Sequence, residues 1–253
     1  MKWTAAARYA EVPVDENWDS IADWYAALVR DGSPMHTFSR DILLSVLPLT
    51  LTGAVVLDIG CGEGLITRAV AARGAAALGV DPTSALIEHA QAAERAQPIG
   101  AIYRQDDGST LSSVGNATID WVTAALSLNN IPDLDSAIES IKRVLKPEGR
   151  IAFTVPHPCF NAPRGGSVTI NGSPRRLIGD YFAEGFWRLN EPQSVRRAGN
   201  YHRTIATYVN TLMNHGFALD VLAEPAPDDR VRATNPHRIG LPPFLLVRAA
   251  VTA

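Results

Sequence analysis

The stretch Val55-Val56-Leu57-Asp58-Ile59-Gly60-Cys61-Gly62-Glu63-Gly64 sets a short apolar run directly against three glycines at alternate positions. A run of that length, apolar on both faces, reads as a strand buried in a parallel sheet. Glycine lets the chain turn sharply there and lets a ligand lie against backbone where a Cβ would otherwise stand. Leu65, Ile66, Ala69 and Val70 then form a helix stripe that Gly74 closes. A glycine turn between strand and helix lies at the carboxyl end of the sheet, where open α/β sheets bind ligands. The next apolar run, Ala77-Leu78-Gly79-Val80, ends at Asp81, a carboxylate suited to ribose hydroxyls. The glycine spacing differs from the G-x-G-x-x-G of dinucleotide sites.

The alternation continues outward. Ala85 to Ala93 reads as a helix, Ala101-Ile102-Tyr103 as a weaker strand and Ile119 to Ala125 as a strong one. Leu134, Ile138, Ile141 and Leu145 share a helix face, and Lys146-Pro147-Glu148-Gly149 turns the chain into the strand Ile151–Val155. This rhythm predicts an α/β domain, a parallel sheet with helices on both faces. Before it, Trp18, Ile21, Ala22, Tyr25 and Leu28 mark one helix that Asp31 to Pro34 stops, and Phe38, Ile42, Leu43 and Val46 mark another. Residues 156–200 break the rhythm with Pro, Gly, Arg and the aromatics Tyr181, Phe182, Phe186 and Trp187, the composition of a lid. Thr204 caps a last helix, Gly216 ends it, and Phe217–Leu222 and Phe244–Val251 read as closing strands joined by a Pro-rich loop. One domain is therefore expected over 1–253. It comprises a helical cover (1–50), a ligand-binding core (51–155), a lid (156–203) and a closing unit (204–253).

The segment from Val55 to Val155 resembles, motif by motif, the class I S-adenosylmethionine-dependent methyltransferases, in particular small-molecule enzymes of bacteria. That resemblance implies a Rossmann-like three-layer sandwich whose seven-stranded sheet is mostly parallel, with an antiparallel last strand. It implies S-adenosylmethionine as cofactor, bound by Asp58, Gly60, Cys61, Gly62, Asp81, Pro82, Asp106, Asp107, Gly108 and Ser127. Asp107 is favoured over Asp106 for the adenine amino group by its spacing to Leu111. Asp58 is assigned to orienting the glycine loop and the cofactor's amino end, and Cys61 fills its position without a redox role. The run Val155-Pro156-His157-Pro158-Cys159-Phe160 and the run Tyr201-His202-Arg203-Thr204 resemble a bacterial small-molecule subgroup. They supply His157 and His202 as candidate catalytic residues, the alternative being that His157 shapes a turn and His202 anchors the lid. Tyr25, Asn129, Phe160, Tyr181 and Arg203 are the candidate substrate contacts, with a lid or helix bond as the alternative for Arg203. Trp18 is assigned to the core, and the lid aromatics either wall a pocket or hold the lid down.

Composition narrows the function. Twenty-three basic against 26 acidic residues leave a net charge of −3, which removes the electrostatic case for nucleic acid. The loop Ser127-Leu128-Asn129-Asn130 also lacks the Pro-Pro-aromatic element of enzymes that methylate base amines. Two cysteines make neither a disulfide framework nor a zinc site, so no metal is expected. No run is long and apolar enough for a membrane span, and the first residues lack the apolar centre of a signal peptide, so a cytoplasmic protein is expected. The expected reaction is methyl transfer to a small organic acceptor at O, N or C, in bacterial secondary metabolism. A nucleic-acid methyltransferase and a cyclase that keeps the cofactor site are the alternatives, and homo-oligomerisation stays open.

Overall fold

The structure, a computed structural model, describes residues 17–189 and 191–252. The signal-peptide reading and the first part of the helical cover lie outside them. Two helices come first, α1 (Trp18–Arg30) and α2 (Pro34–Ser45). Asn17 opens α1 by accepting the Ser20 N–H while the Ser20 hydroxyl accepts the Asn17 N–H, satisfying two end groups at once. Pro34, read in the sequence as a stop, is also the first residue of α2, where its missing N–H costs nothing.

The core then runs β1 (Val55–Ile59), α3 (Leu65–Ala71), β2 (Ala76–Asp81), α4 (Ser84–Ala96), β3 (Ile102–Gln105), β4 (Ile119–Ala125), α5 (Leu134–Val144) and β5 (Leu145–Pro156). The weak strand begins a residue later than expected and extends to Gln105. It is the sheet edge, where exposed Arg104 and Gln105 need no apolar partner. The turn Lys146–Gly149 lies inside β5 as an outward loop, between the pair Ile119–Leu145 and the pair Trp121–Arg150. Lys146 Nζ is held there by Asp120, whose Oδ2 also accepts the Val55 N–H at 2.8 Å, so this bulge is tied to the start of β1.

After β5 the chain forms a hairpin of β6 (Gly166–Ile170) and β7 (Ser173–Leu177), and a second small sheet of β8 (Gly185–Trp187) with β9 (Asn200–His202). Asn171-Gly172, both at positive φ, is the two-residue turn of the first hairpin, a signal present in the sequence but unread there. Helix α6 (Ile205–Asn214) starts where expected, the Thr204 hydroxyl accepting the Thr207 N–H. Strand β10 (Phe217–Ala223), helix α7 (Asp229–Thr234) and β11 (Phe244–Val251) close the molecule. The loop read as Pro-rich thus contains a short helix, which Asp228 caps.

The main sheet has the order β10-β11-β5-β4-β1-β2-β3, with β11 antiparallel to both neighbours. Alternate strand residues feed two cores: Leu57 and Ile59 face α5 and α6, while Val56 faces α2 and α3. A smaller cluster of Ala22, Ala26 and Leu86 seats α1 on α4, which swings Trp18 and Tyr25 over the carboxyl ends of β1 and β2. No helix among the described residues is long and apolar enough to cross a membrane.

Candidate functional site

Where β1 ends, the backbone turns through Gly60 and Gly62, at φ +64° and +55°. A Cβ on Gly60 would stand 2.4 Å from the Ser127 Cβ, and one on Gly62 would touch the Tyr25 ring at 3.4 Å. Both positions therefore need glycine for conformation, and Gly60 needs it for space as well. Beneath the turn Asp58 is buried and accepts the hydroxyls of Thr67 (2.7 Å) and Thr123 (2.9 Å), so it braces the loop from below. Cys61 is buried, and its N–H donates to the Val80 carbonyl at 3.0 Å.

Asp81 fixes the loop from the side. Its Oδ2 accepts the Gly62 N–H at 3.0 Å and its Oδ1 accepts the Thr83 N–H at 2.9 Å. Around it opens a cleft of about 700 Å³, its mouth included. Gly60, Gly62, Asp81, Pro82, Asp107 and Ser127 of the expected cofactor set line it, with Gly108 at its far end. Trp18, assigned to the core by sequence, is on this wall too, with Tyr25 edge-on to it at 5.2 Å. Ile59, Thr83, Leu86, Ala125, Leu126, Asn130, Ile131 and Pro132 complete the lining, and nothing local in the sequence marks Thr83 or Leu86. The Ser127 hydroxyl is buried without a partner in the described structure, an unspent hydrogen-bonding group at the floor of the cleft.

Asp106 does something else. Its carboxylate accepts from the backbone of Asp107, Ser112 and Ser113 and from both serine hydroxyls, which holds it below the usual carboxylate range. It organises the turn, does not line the cleft, and leaves Asp107 to face the ligand space. Hydrogen-bonding geometry beyond the i+1 neighbour decided between these adjacent acids, and spacing alone could not.

The lining of this cleft holds carboxylates and no Lys, Arg or His. Burial, only partly offset by the two threonine hydroxyls, pushes Asp58 up to about 7. Burial, with Asp58 and Asp81 as further negative neighbours, pushes Glu63 up to about 7. Asp81 is raised as well, again by burial, and Tyr25 is held protonated by burial among these acids. Such carboxylates favour a positively charged guest, whose arrival would offset their desolvation.

A second, larger cleft of about 1,580 Å³ adjoins the first, sharing Trp18, Tyr25, Leu126 and Asn130 as common wall. Leu126 lies at φ +57°, an uncommon conformation for a leucine, at the point where the two spaces meet. The second cleft has opposite electrostatics: Arg176, Arg196, Arg238, His36 and His237 line it, with Glu191 as the acid on its wall. Burial, with Arg196 and Arg176 beside it, lowers Arg238 to about 9. Burial likewise lowers His36 to about 4, leaving it neutral at physiological pH, with Nδ1 2.8 Å from Ser33 Oγ. The Asn129 Oδ1, the Trp187 Nε1 and the Arg238 Nη1 are buried without partners among the described residues. Of these basic residues the sequence singles out Arg176 and Arg196, each in an arginine pair read as solvated unless the substrate is an anion, whereas His36, His237 and Arg238 draw no attention because the five come from four distant segments.

Several expected substrate-side residues are elsewhere. His157 is 1% exposed, lines neither cleft, and bonds Glu224 Oε1 through Nε2 at 2.7 Å while packing on Phe160. It sits at the turn after β5, with Nδ1 buried and unpartnered among the described residues. Phe160 is away from both clefts, its carbonyl accepting from Arg176. His202 donates from Nε2 to the Tyr181 carbonyl of the lid at 2.8 Å. Tyr181 accepts the Ile205 N–H through its hydroxyl, so both residues anchor the lid to α6 and do not face either main cleft. Arg203 is buried and donates to the carbonyls of Leu128, Ile131 and Pro132. It is a clamp on the loop after β4, its terminal nitrogens donating to the chain. Arg203→Ala should cost about 3 kcal/mol of unfolding free energy, because three carbonyls lose a charged donor; urea titration would show it, and a loss under about 1 kcal/mol would refute the clamp. Of the substrate candidates, Tyr25 and Asn129 do line the second cleft.

Comparison with known proteins adds family to geometry. The family described as "Methyltransferase domain" matches residues 57–153. A ubiquinone biosynthesis O-methyltransferase of Pseudomonas fluorescens is 34% identical over 130 residues, 51% of this chain and 50% of that protein. The chain thus matches about half the length of such curated relatives. The crystal structure of an S-adenosylmethionine-dependent methyltransferase from Mesorhizobium loti aligns with TM-score 0.70 and 27% identity over 83% of this chain and 96% of that one. One from Listeria monocytogenes, a putative enzyme of the same kind, gives 0.70 and 25% over 85% and 98%. Residues 57–153 thus form a methyltransferase domain, and the chain has the fold of S-adenosylmethionine-dependent methyltransferases.

Proposed function

We propose that the chain transfers a methyl group from S-adenosylmethionine to a small organic acceptor seated in the basic cleft, in the biosynthesis of a small metabolite in the cytoplasm. The observation that carries this reading is the shared wall of Trp18, Tyr25, Leu126 and Asn130, which joins a carboxylate-lined space to a separate polar one. The residues present fit the cofactor. An unpartnered Ser127 hydroxyl, the Gly60 and Gly62 cradle and carboxylates without a cation among the lining all suit a cationic nucleoside. When bound, the cofactor supplies a methyl carbon on a sulfonium leaving group, open to in-line displacement. Asp81 would hold the ribose and Asp107 the adenine edge, while Asp58 keeps the loop in place. The protein's share of the rate is then proximity and orientation, with water excluded by α1 and the lid.

On the acceptor side, Asn129 offers an unspent carbonyl oxygen to an acceptor hydroxyl or amine. In the tautomer that donates Nδ1–H to Ser33, His36 keeps Nε2 as an acceptor for the same purpose. The names of the curated relatives favour oxygen as the acceptor atom. The acidic balance of the chain favours a small molecule over nucleic acid.

Calorimetry with S-adenosylmethionine and with its demethylated product tests the cofactor half, and a cofactor-dependent gain of a methyl mass in a cell extract tests the transfer. Binding should also release protons. Asp58 and Glu63, titrating near 7 without ligand, are pulled toward the ionised form by a cation, so affinity should rise as pH climbs through about 7. Asp81, raised in the same sense, adds to it, whereas burial keeps Cys61 and Tyr25 protonated throughout. Titrations at about pH 6.5 in buffers of different ionisation heat would reveal the protons. No heat with either ligand would overturn the reading, and binding without proton release would overturn its electrostatics.

A further inference from the structure

The second cleft contains a guanidinium that the fold does not use up. Arg238 sits in the turn between α7 and β11 and is 7% exposed. Its Nη2 donates to Asn161 Oδ1 at 2.7 Å, and Arg196 Nη2 donates to the same oxygen at 2.8 Å. One neutral amide oxygen therefore draws two cationic side chains together, and Arg176 lies close enough to oppose the charge of Arg238 further. The other terminal nitrogen, Nη1, is buried and has no partner among the described residues. The indole Nε1 of Trp187, which lines the same cleft with Arg196 over its ring at 5.1 Å, is a second buried donor without a partner among the described residues.

A buried arginine without a carboxylate is costly to keep, since neither water nor a counter-ion repays its desolvation. Surface arginines avoid that cost by reaching solvent, and structural ones, such as Arg203, by filling their donors with carbonyls. Arg238 does neither completely. Glu191, which also lines the cleft, carries its own contacts and does not appear among the charges acting on Arg238. The arrangement is that of a donor set arranged in advance for an oxyanion, the guanidinium supplying charge and direction and the indole N–H a second bond.

Resting on the methyltransferase reading, we propose that the acceptor is an organic anion whose carboxylate or phosphate is held in the basic cleft by Arg238 with the Trp187 N–H. The anion fixes one end of the acceptor and presents the other, across the shared wall of Tyr25 and Leu126, to the methyl donor. The same pairing rejects neutral analogues, because they would leave buried donors unpaired. The charge contrast between the two clefts also sorts their guests: a cationic nucleoside is repelled from the basic side and an anion from the acidic one.

The test uses the whole chain saturated with S-adenosylhomocysteine, titrated with benzoate, phenyl phosphate and neutral benzamide while Trp fluorescence or heat is followed. At least one of the two anions should bind about tenfold or more tightly than benzamide, and which one does tells a carboxylate from a phosphate acceptor. Arg238→Gln should abolish that preference while the affinity for S-adenosylhomocysteine stays within about twofold. Arg238→Lys, which keeps the charge but loses the planar fork, should retain a reduced preference and so separates recognition from misfolding. Equal binding of anion and amide, absence of binding by both anions, or an undiminished preference in Arg238→Gln overturns the proposal. Failure of S-adenosylhomocysteine to bind the unaltered protein would instead strike the methyltransferase reading.

Discussion

Asp81→Ala should weaken binding of S-adenosylhomocysteine by about two orders of magnitude, about 3 kcal/mol. Two losses add. The carboxylate placed for the ribose disappears, and the N–H groups of Gly62 and Thr83 lose the oxygens that hold the loop in its turn. Charge-assisted bonds of this kind contribute more than neutral ones, and their loss at a buried site leaves donors unsatisfied. Asp81→Asn, which keeps one acceptor oxygen and no charge, should fall between the alanine variant and the unaltered protein. Calorimetry gives the affinities and thermal unfolding checks the fold. An alanine variant that binds within about threefold of the original would remove Asp81 from the site.

Gly60→Ala should have the larger effect on the protein itself. The new Cβ would stand 2.4 Å from the Ser127 Cβ, a separation that no packing tolerates, on a backbone at φ +64° that disfavours any side chain. Strain and overpacking together should cost about 3 kcal/mol of stability, and ligand binding should fall below detection as the loop after β4 is displaced. Gly32→Ala separates the two causes. Gly32 has a comparable φ of +84° with open space around it, so only the backbone penalty of about 1 kcal/mol should appear. Equal losses at the two positions in chemical denaturation would mean that the approach of Ser127 contributes nothing.

Most of the donor half of the site was readable in the chain. Strand, glycines, helix and following acid are contiguous, and their geometry follows from local rules: a buried strand must end in a turn, and only glycine turns there. The resemblance placed Asp107, Gly108 and Ser127 on the same rim, and they are found on it. Asp106 was included with them because two adjacent acids look alike in sequence; its five hydrogen bonds, several from residues six and seven positions on, set it apart.

The acceptor half was not readable. His157, His202, Tyr181 and Arg203 stand out in a sequence as chemistry-bearing residues, yet the side-chain bonds of each go to the chain: to Glu224, to the lid, or to the loop after β4, with His157 Nδ1 left buried and unpartnered among the described residues. Burial with satisfied partners is invisible until the partners are known, and these come from dozens of residues away. Trp187 was named in the sequence only as one of several lid aromatics, and Arg238 and His36 passed without remark.

The amino-acid sequence by itself determined the α/β alternation, the glycine turn and the acid that follows it, because each depends on neighbours within a few residues or one strand–helix unit. The tertiary structure alone decided which polar groups remain unspent. Asn161, Arg196 and Arg238 meet only because the lid and the last turn before β11 fold against one another. Whether a side chain is free to meet a ligand depends on every group packed around it, and that surrounding is fixed by long-range packing.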